Sequence, residues 1–214
     1  MMNVPDAIMD EFLQACHEAA GRGLMRCSSG NLSFRLDRER FLATSSRSWM
    51  ADLSREQVSI CRLVDGSVLE GPRATVEIGF HAGILKSRPD VNVVMHFQTP
   101  FATTLACRHA DDINYFVIPE IPFYIGHVAR VPYRLPGSGH LAEAVTTAMQ
   151  KHDMVVMGNH GAVTAANDYS HAIQNADFFE LACQIIVQGD SALTPLREED
   201  AQCLLELRNN ADGV

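Results

Sequence analysis

Helical and strand signals alternate in short pieces along the whole chain, and this mixed order constrains the fold more than any other feature. Residues 5–22 place Ile8, Phe12, Leu13, Cys16, Ala19 and Ala20 at helical spacing and stop at Gly21 and Gly23. Ser28-Ser29-Gly30-Asn31 reads as a turn, and Leu32, Phe34 and Leu36 then alternate with polar residues as in a half-buried strand. Phe41–Thr44 reads as its partner, and Asp65-Gly66 between Ile60–Val64 and Ser67–Leu69 signals a hairpin. Residues 75–87 predict a helix that Pro89 cannot extend, and Val91–Phe97 a nearly continuous apolar strand. Thr99 and Pro100 suit the N-cap and first position of a helix reaching Cys107. Strands are expected at 114–118 and 128–133, a helix at 138–151 and a buried strand at Met154–Met157. The Asn159-His160-Gly161 turn, a return strand Ala162–Ala165 and helices at Tyr169–Gln188 and 197–209 complete the chain. This order suggests an α/β fold, a three-layer α/β/α sandwich with a mostly antiparallel central sheet. With no repeat, low-complexity stretch or linker, residues 1–214 read as a single domain long enough to bury a substantial core.

The formal charge of −9 argues against non-specific nucleic-acid binding, which needs a basic surface, but leaves room for a local basic pocket and an anionic substrate. No apolar run approaches a membrane span, so no membrane partner is expected. The start, MMNVPDAIMDEF, carries Asp6, Asp10 and Glu11 and lacks the basic opening of a secretory signal; the expectation is a cytoplasmic protein. Cysteines 16, 27, 61, 107, 183 and 203 are scattered, unlike a zinc finger or a disulfide framework, and read as buried or partly buried free thiols.

Three segments could carry chemistry. In VNVVMHFQTP, strand alternation projects His96 and Gln98 together and Phe97 the other way, so an imidazole and an amide could reach one ion. A core histidine beside a satisfied amide is the alternative. Glu77 and His81 lie four apart on the predicted helix, as ligand and supporting group, as acid/base and orienting partner, or as a plain surface pair. In MVVMGNHGAV a buried strand ends in His160 within a glycine turn, a frequent place for functional side chains but equally for a solvent-facing histidine. Histidines 17, 109, 127, 140, 152 and 171 lack such context and read mostly as surface.

Taken in order, SSGNLSFR (28–35), FLATSSRS (41–48), ATVEIGFH (74–81), RPDVNVVMHFQTPFAT (88–103) and MVVMGNHGAV (154–163) resemble the class II aldolase/adducin family, across residues 8–190. The resemblance implies one divalent cation per subunit, zinc first and manganese or another ion behind it. His96, His160 and Glu77 would be ligands, with Gln98 standing where the family has a second strand histidine. It implies a metal-dependent aldolase cleaving a ketose 1-phosphate, such as L-fuculose 1-phosphate, or a related sugar through a metal-stabilised enediolate, with Glu77 as proton shuttle. Epimerase, dehydratase or decarboxylase chemistry, or a non-catalytic adducin-like module, are the alternatives. Gly30, Asn31, Ser46 and Thr75 match the family's phosphate loops. Arg47 and Val76 replace a glycine and a serine, and Arg47 could bind an anion directly. Phe123 falls where the leaving-group tyrosine of the fuculose aldolase is expected; adjacent Tyr124 would supply the hydroxyl after a local shift, or simply pack in the core. The implied partners are a small sugar or sugar-phosphate substrate and, for the chain itself, a homotetramer.

Overall fold

Eight strand segments meet in one sheet in the computed structural model, which describes residues 4–108, 113–189 and 192–211. They are β1 (Asn31–Arg35), β2 (Arg40–Thr44), β3 (Val58–Arg62), β4 (Val68–Glu70), β5 (Val93–Phe97), β6 (Val128–Val131), β7 (Met154–Met157) and β8 (Gly161–Ala166). Their order is β4-β3-β2-β1-β5-β8-β7-β6, and only β6 and β7 pair in parallel. Helices α1 (Asp6–Gly21), α3 (Pro100–Ala106) and α5 (Tyr169–Gly189) share a core with one face, and α2 (Ile78–Ser87) and α4 (Gly139–Met149) with the other. The last helix, α6 (Glu198–Ala211), packs against a π-helical turn at Ile121–Ile125. This is the expected three-layer sandwich.

Central strand β5 explains the apolar run. Met95 and Phe97 enter the core shared with α1, α3 and α5, and Val94 enters the one shared with α2 and α4. A strand covered on both faces has no reason to alternate apolar with polar residues. His96 breaks the run on the α2 side, next to Phe80.

Two contacts hold the elements around His96. Helix α2 lies so close to α4 that a Cβ on Gly79 would stand 2.9 Å from the Ala142 Cβ, and one on Gly83 would stand 2.3 Å from the Thr146 Oγ1. Glu180, on α5, takes over the capping of α3. Its carboxylate accepts from the Thr99 hydroxyl (2.5 Å) and from the amides of Phe101 (2.9 Å) and Ala102 (2.8 Å). A half-buried carboxylate thus satisfies orphan donors at a helix N-terminus and anchors the chain directly after Gln98.

The expected strand at 114–118 is irregular backbone instead. The Asn114 side chain accepts from the Phe116 amide (2.9 Å), a local bond that competes with ladder pairing. Glu77 stands just outside α2, at its N-cap, rather than inside a helix begun at residue 75. All six cysteines are free; Cys16, Cys61 and Cys183 are buried, whereas Cys27, Cys107 and Cys203 are exposed. His17 is exposed, as expected, and its Nε2 meets the Leu53 carbonyl at 2.9 Å. His109 lies outside the described residues. Among the described residues, no helix is long and apolar enough to cross a membrane.

Candidate metal centre

The end of β5 and the start of β8 are paired, Phe97 opposite Ala162, so the turn preceding β8 lies beside His96 and Gln98. Asn159 occupies the left-handed region in that turn (φ 53°), which asparagine tolerates well among non-glycine residues. The turn brings His160 against His96, with ring centroids 4.8 Å apart. Gly161 makes this possible: a Cβ there would lie 2.6 Å from the Phe97 carbonyl oxygen and 3.2 Å from the His96 ring. Gly161→Ala should therefore displace His96 and weaken zinc binding by about 10-fold or more. Competition against a chromophoric chelator measures this, and unchanged affinity would refute it.

Glu77 closes the cluster from α2. Thr75 holds the approach to it, donating its amide to the Thr44 carbonyl (3.0 Å) and accepting the Glu77 amide on its hydroxyl (3.3 Å). The Glu77 side chain is only 5% exposed. Its Oε1 stands 3.4 Å from the His160 Nε2, and its Oε2 stands 3.5 Å from the His96 Nε2. One ligand atom from each of the three residues lies within 4.8 Å of the others.

The protonation pattern suits a cation. His96 donates its Nδ1 proton to the Ala162 carbonyl (3.0 Å), which turns its Nε2 toward Glu77. Burial and the neighbouring His96 push the His160 pKa down to about 4, against the opposing pull of Glu77, so its imidazole is neutral near pH 7. Glu77 Oε1 is buried with no hydrogen-bond partner. A buried carboxylate oxygen without a partner is unfavourable unless something positive lies beside it. The two Glu77–histidine distances, 3.4 and 3.5 Å, are close to the roughly 3.4 Å expected between tetrahedral ligands about 2.1 Å from zinc. The residues present therefore fit a divalent ion.

Gln98 is half-buried at the edge of the cluster, its Nε2 3.4 Å from the His96 Nε2. Amide nitrogen and oxygen exchange by a half-turn, so the same position can offer an oxygen. Asn31, expected at the phosphate, is hydrogen-bonded within the cluster. Its Nδ2 donates to Glu77 Oε2 (2.9 Å), and its Oδ1 meets His81 Nε2 (2.5 Å). His81 Nδ1 in turn meets the Ser33 hydroxyl (2.7 Å). Glu77 and His81 are thus linked through Asn31. Burial, with His96 nearby, lowers the His81 pKa to about 3 and keeps it neutral. Ser33 was not among the sequence candidates. The signal that could have found it is the two-residue alternation of β1, which puts Ser33 on the face of Asn31, itself paired with His96.

The other anticipated residues divide by position. Gly30 (φ 83°) lies tightly over β5, where a Cβ would stand 2.8 Å from the His96 carbonyl oxygen and still closer to Met25. Ser46 donates its amide to the Arg73 carbonyl (2.9 Å), in the strap that runs beside Thr75. Arg47 is exposed and left-handed (φ 64°) in the same loop. Tyr124 is elsewhere: it stacks on Phe178 and lines a cavity with Arg88, Asp153 and Arg208. That cavity includes Val91 and Ala166 and lies at the end of β5 opposite His96, so a single chain does not bring Tyr124 to Glu77.

Fold and cluster together define an α/β protein with a His-His-Glu cluster, able to hold a metal ion, at one end of its central sheet. The chain belongs to the class II aldolase and adducin family, whose N-terminal-domain sequence model matches residues 10–187. It is 31% identical over 162 residues to a 3-oxo-tetronate 4-phosphate decarboxylase of Haemophilus influenzae, covering 74% of this chain and 77% of the relative. It is 30% identical over 180 residues to a 5-deoxy-D-ribulose 1-phosphate aldolase of Bacillus thuringiensis, covering 81% of each. The solved YgbL protein of Klebsiella pneumoniae superposes with a TM-score of 0.87 at 23% identity, over 93% of this chain and 98% of that one.

Proposed function

We propose that this chain is a metal-dependent carbon–carbon lyase that decarboxylates a phosphorylated 3-oxo sugar acid. The observation that carries the lyase reading is the buried Glu77 carboxylate between two imidazoles, its unpartnered Oε1 3.4 Å from His160 Nε2 and its Oε2 3.5 Å from His96 Nε2. A divalent ion bound by Glu77, His96 and His160, with Gln98 as fourth ligand, supplies Lewis acidity toward adjacent substrate oxygens; zinc is the first choice.

In a 3-oxo acid the C1–C2 bond breaks, its electron pair moves toward the C3 carbonyl, and carbon dioxide leaves without any proton transfer to or from it. One proton, drawn from solvent, must then reach C2, and we assign Glu77 Oε1 to take up that proton and pass it on. A retro-aldol cleavage needs one more group, to take the hydroxyl proton of the departing fragment. Tyr124 could serve only from another copy of the chain, as a homotetramer would allow. Decarboxylation makes no such demand, and the decarboxylase relative supports it. Gly30, Ser46, Arg47 and Thr75 are the residues we assign to the phosphate and carboxylate, Arg47 through its fork of donors.

Incubation with 3-oxo-tetronate 4-phosphate and with a panel of ketose 1-phosphates tests this. Carbon dioxide should appear from the sugar acid, stop after chelation and return with zinc. Aldehyde release from a ketose 1-phosphate, without decarboxylation, would establish the aldolase reading, which the 30% identical aldolase favours. Turnover that survives exhaustive chelation would end the metal-dependent reading.

A further inference from the structure

The Glu77 carboxylate is asymmetric. Its Oε1 has no hydrogen-bond partner, while its Oε2 accepts from Asn31. The carboxylate accepts only, so the Asn31 amide must present its nitrogen to Glu77 and its oxygen to His81. His81 must then donate from Nε2, and, neutral, it carries no proton on Nδ1. The Ser33 hydroxyl completes the row by donating to Nδ1. Every hydrogen bond therefore runs in one direction, Ser33 to His81 to Asn31 to Glu77. Ser33 and His81 are fully buried, and Asn31 is 6% exposed. The members come from two elements, β1 and the first turns of α2, which the tight α2–α4 contact holds on the sheet.

We propose that Ser33, His81 and Asn31 form a positioning relay that holds Glu77 with Oε1 turned to the metal and Oε2 tied back. Each end of the Asn31 amide already has a buried partner, which fixes its orientation between His81 and Glu77. The relay restricts the carboxylate to one rotation, and groups that orient a ligand in this way commonly alter metal affinity by about 10- to 100-fold. The inference rests on Glu77 being a metal ligand, and the test separates the two.

Zinc affinity is measured on the substrate-free protein by chelator competition, with the thermal midpoint recorded for each variant. His81→Leu removes the donor to Asn31 and should weaken zinc about 10- to 100-fold. His81→Gln, which can return an amide N–H to the Nε2 position, should recover most of the loss. Asn31→Ala should weaken zinc comparably; an unchanged affinity would overturn the relay. Ser33→Ala is the mild variant for use if His81→Leu does not fold, and unaltered zinc binding there would also count against the relay. In a Glu77→Gln background, His81→Leu should add nothing, because the relay acts only through the carboxylate. An undiminished effect in that background would mean general disruption and overturn the proposal. If Glu77→Gln alone leaves zinc affinity intact, the ligand reading of Glu77 fails first, whatever the relay does.

Discussion

Glu77→Gln should lower turnover by about 10²- to 10⁴-fold, the range typical for loss of a positioned acid or base. The substitution is nearly isosteric, and a glutamine oxygen can still accept from Asn31 where Oε2 now does. The fold should therefore persist, with a thermal midpoint close to that of the parent. What changes is Oε1, which loses its charge and its ability to carry a proton. The same loss weakens the ion's ligand set, so the variant should be assayed both as purified and at saturating zinc. A kcat that recovers fully with zinc would confine Glu77 to metal binding. A kcat that stays low with zinc bound supports the proton-carrying role, and full activity without added zinc would exclude both.

His160→Ala should reduce bound zinc from about one ion per chain to a small fraction of that, and turnover should fall with it. The site has three charged or imidazole ligand atoms from the described residues, and His160 contributes one of them. Its imidazole is already neutral near pH 7, because burial and His96 lower its pKa to about 4. An arriving ion therefore displaces no proton from it. Removing the ring leaves Glu77 Oε1 facing open space and His96 with one fewer neighbour in the cluster. Metal analysis of protein purified without added ions, before and after zinc loading, checks the expectation. A variant that retains stoichiometric zinc at unchanged affinity would show that the ion is held elsewhere.

Much of this centre was legible from local pattern. His96 and Gln98 share a strand face because side chains alternate, and Phe97 indeed enters the opposite core. The glycine turn around His160 was visible as a strand end. The ordered blocks pointed to the family before any coordinates. Other features rest on partners far apart in the chain. Asn31 reaches Glu77 across 46 positions, and Glu180 caps α3 from about 80 positions away. No periodicity reports such contacts. The stretch at 114–118 resembled a strand because its residues are apolar, but the Asn114 side chain satisfies the backbone locally and a ladder does not form.

By itself the sequence determined the layer architecture, the strand and turn that bear the two histidines, and the chemical types gathered at the site. These are properties of local periodicity and of residue type, which the chain carries wherever it sits. Only the tertiary structure decided that Glu77 stands outside its helix with one oxygen tied and the other free. It also decided that Asn31 faces the carboxylate and that Tyr124 sits at the far end of β5. Those outcomes depend on how closely α2 packs on α4 and on which strands become neighbours. Such distances arise from packing between segments and are not encoded in any one of them.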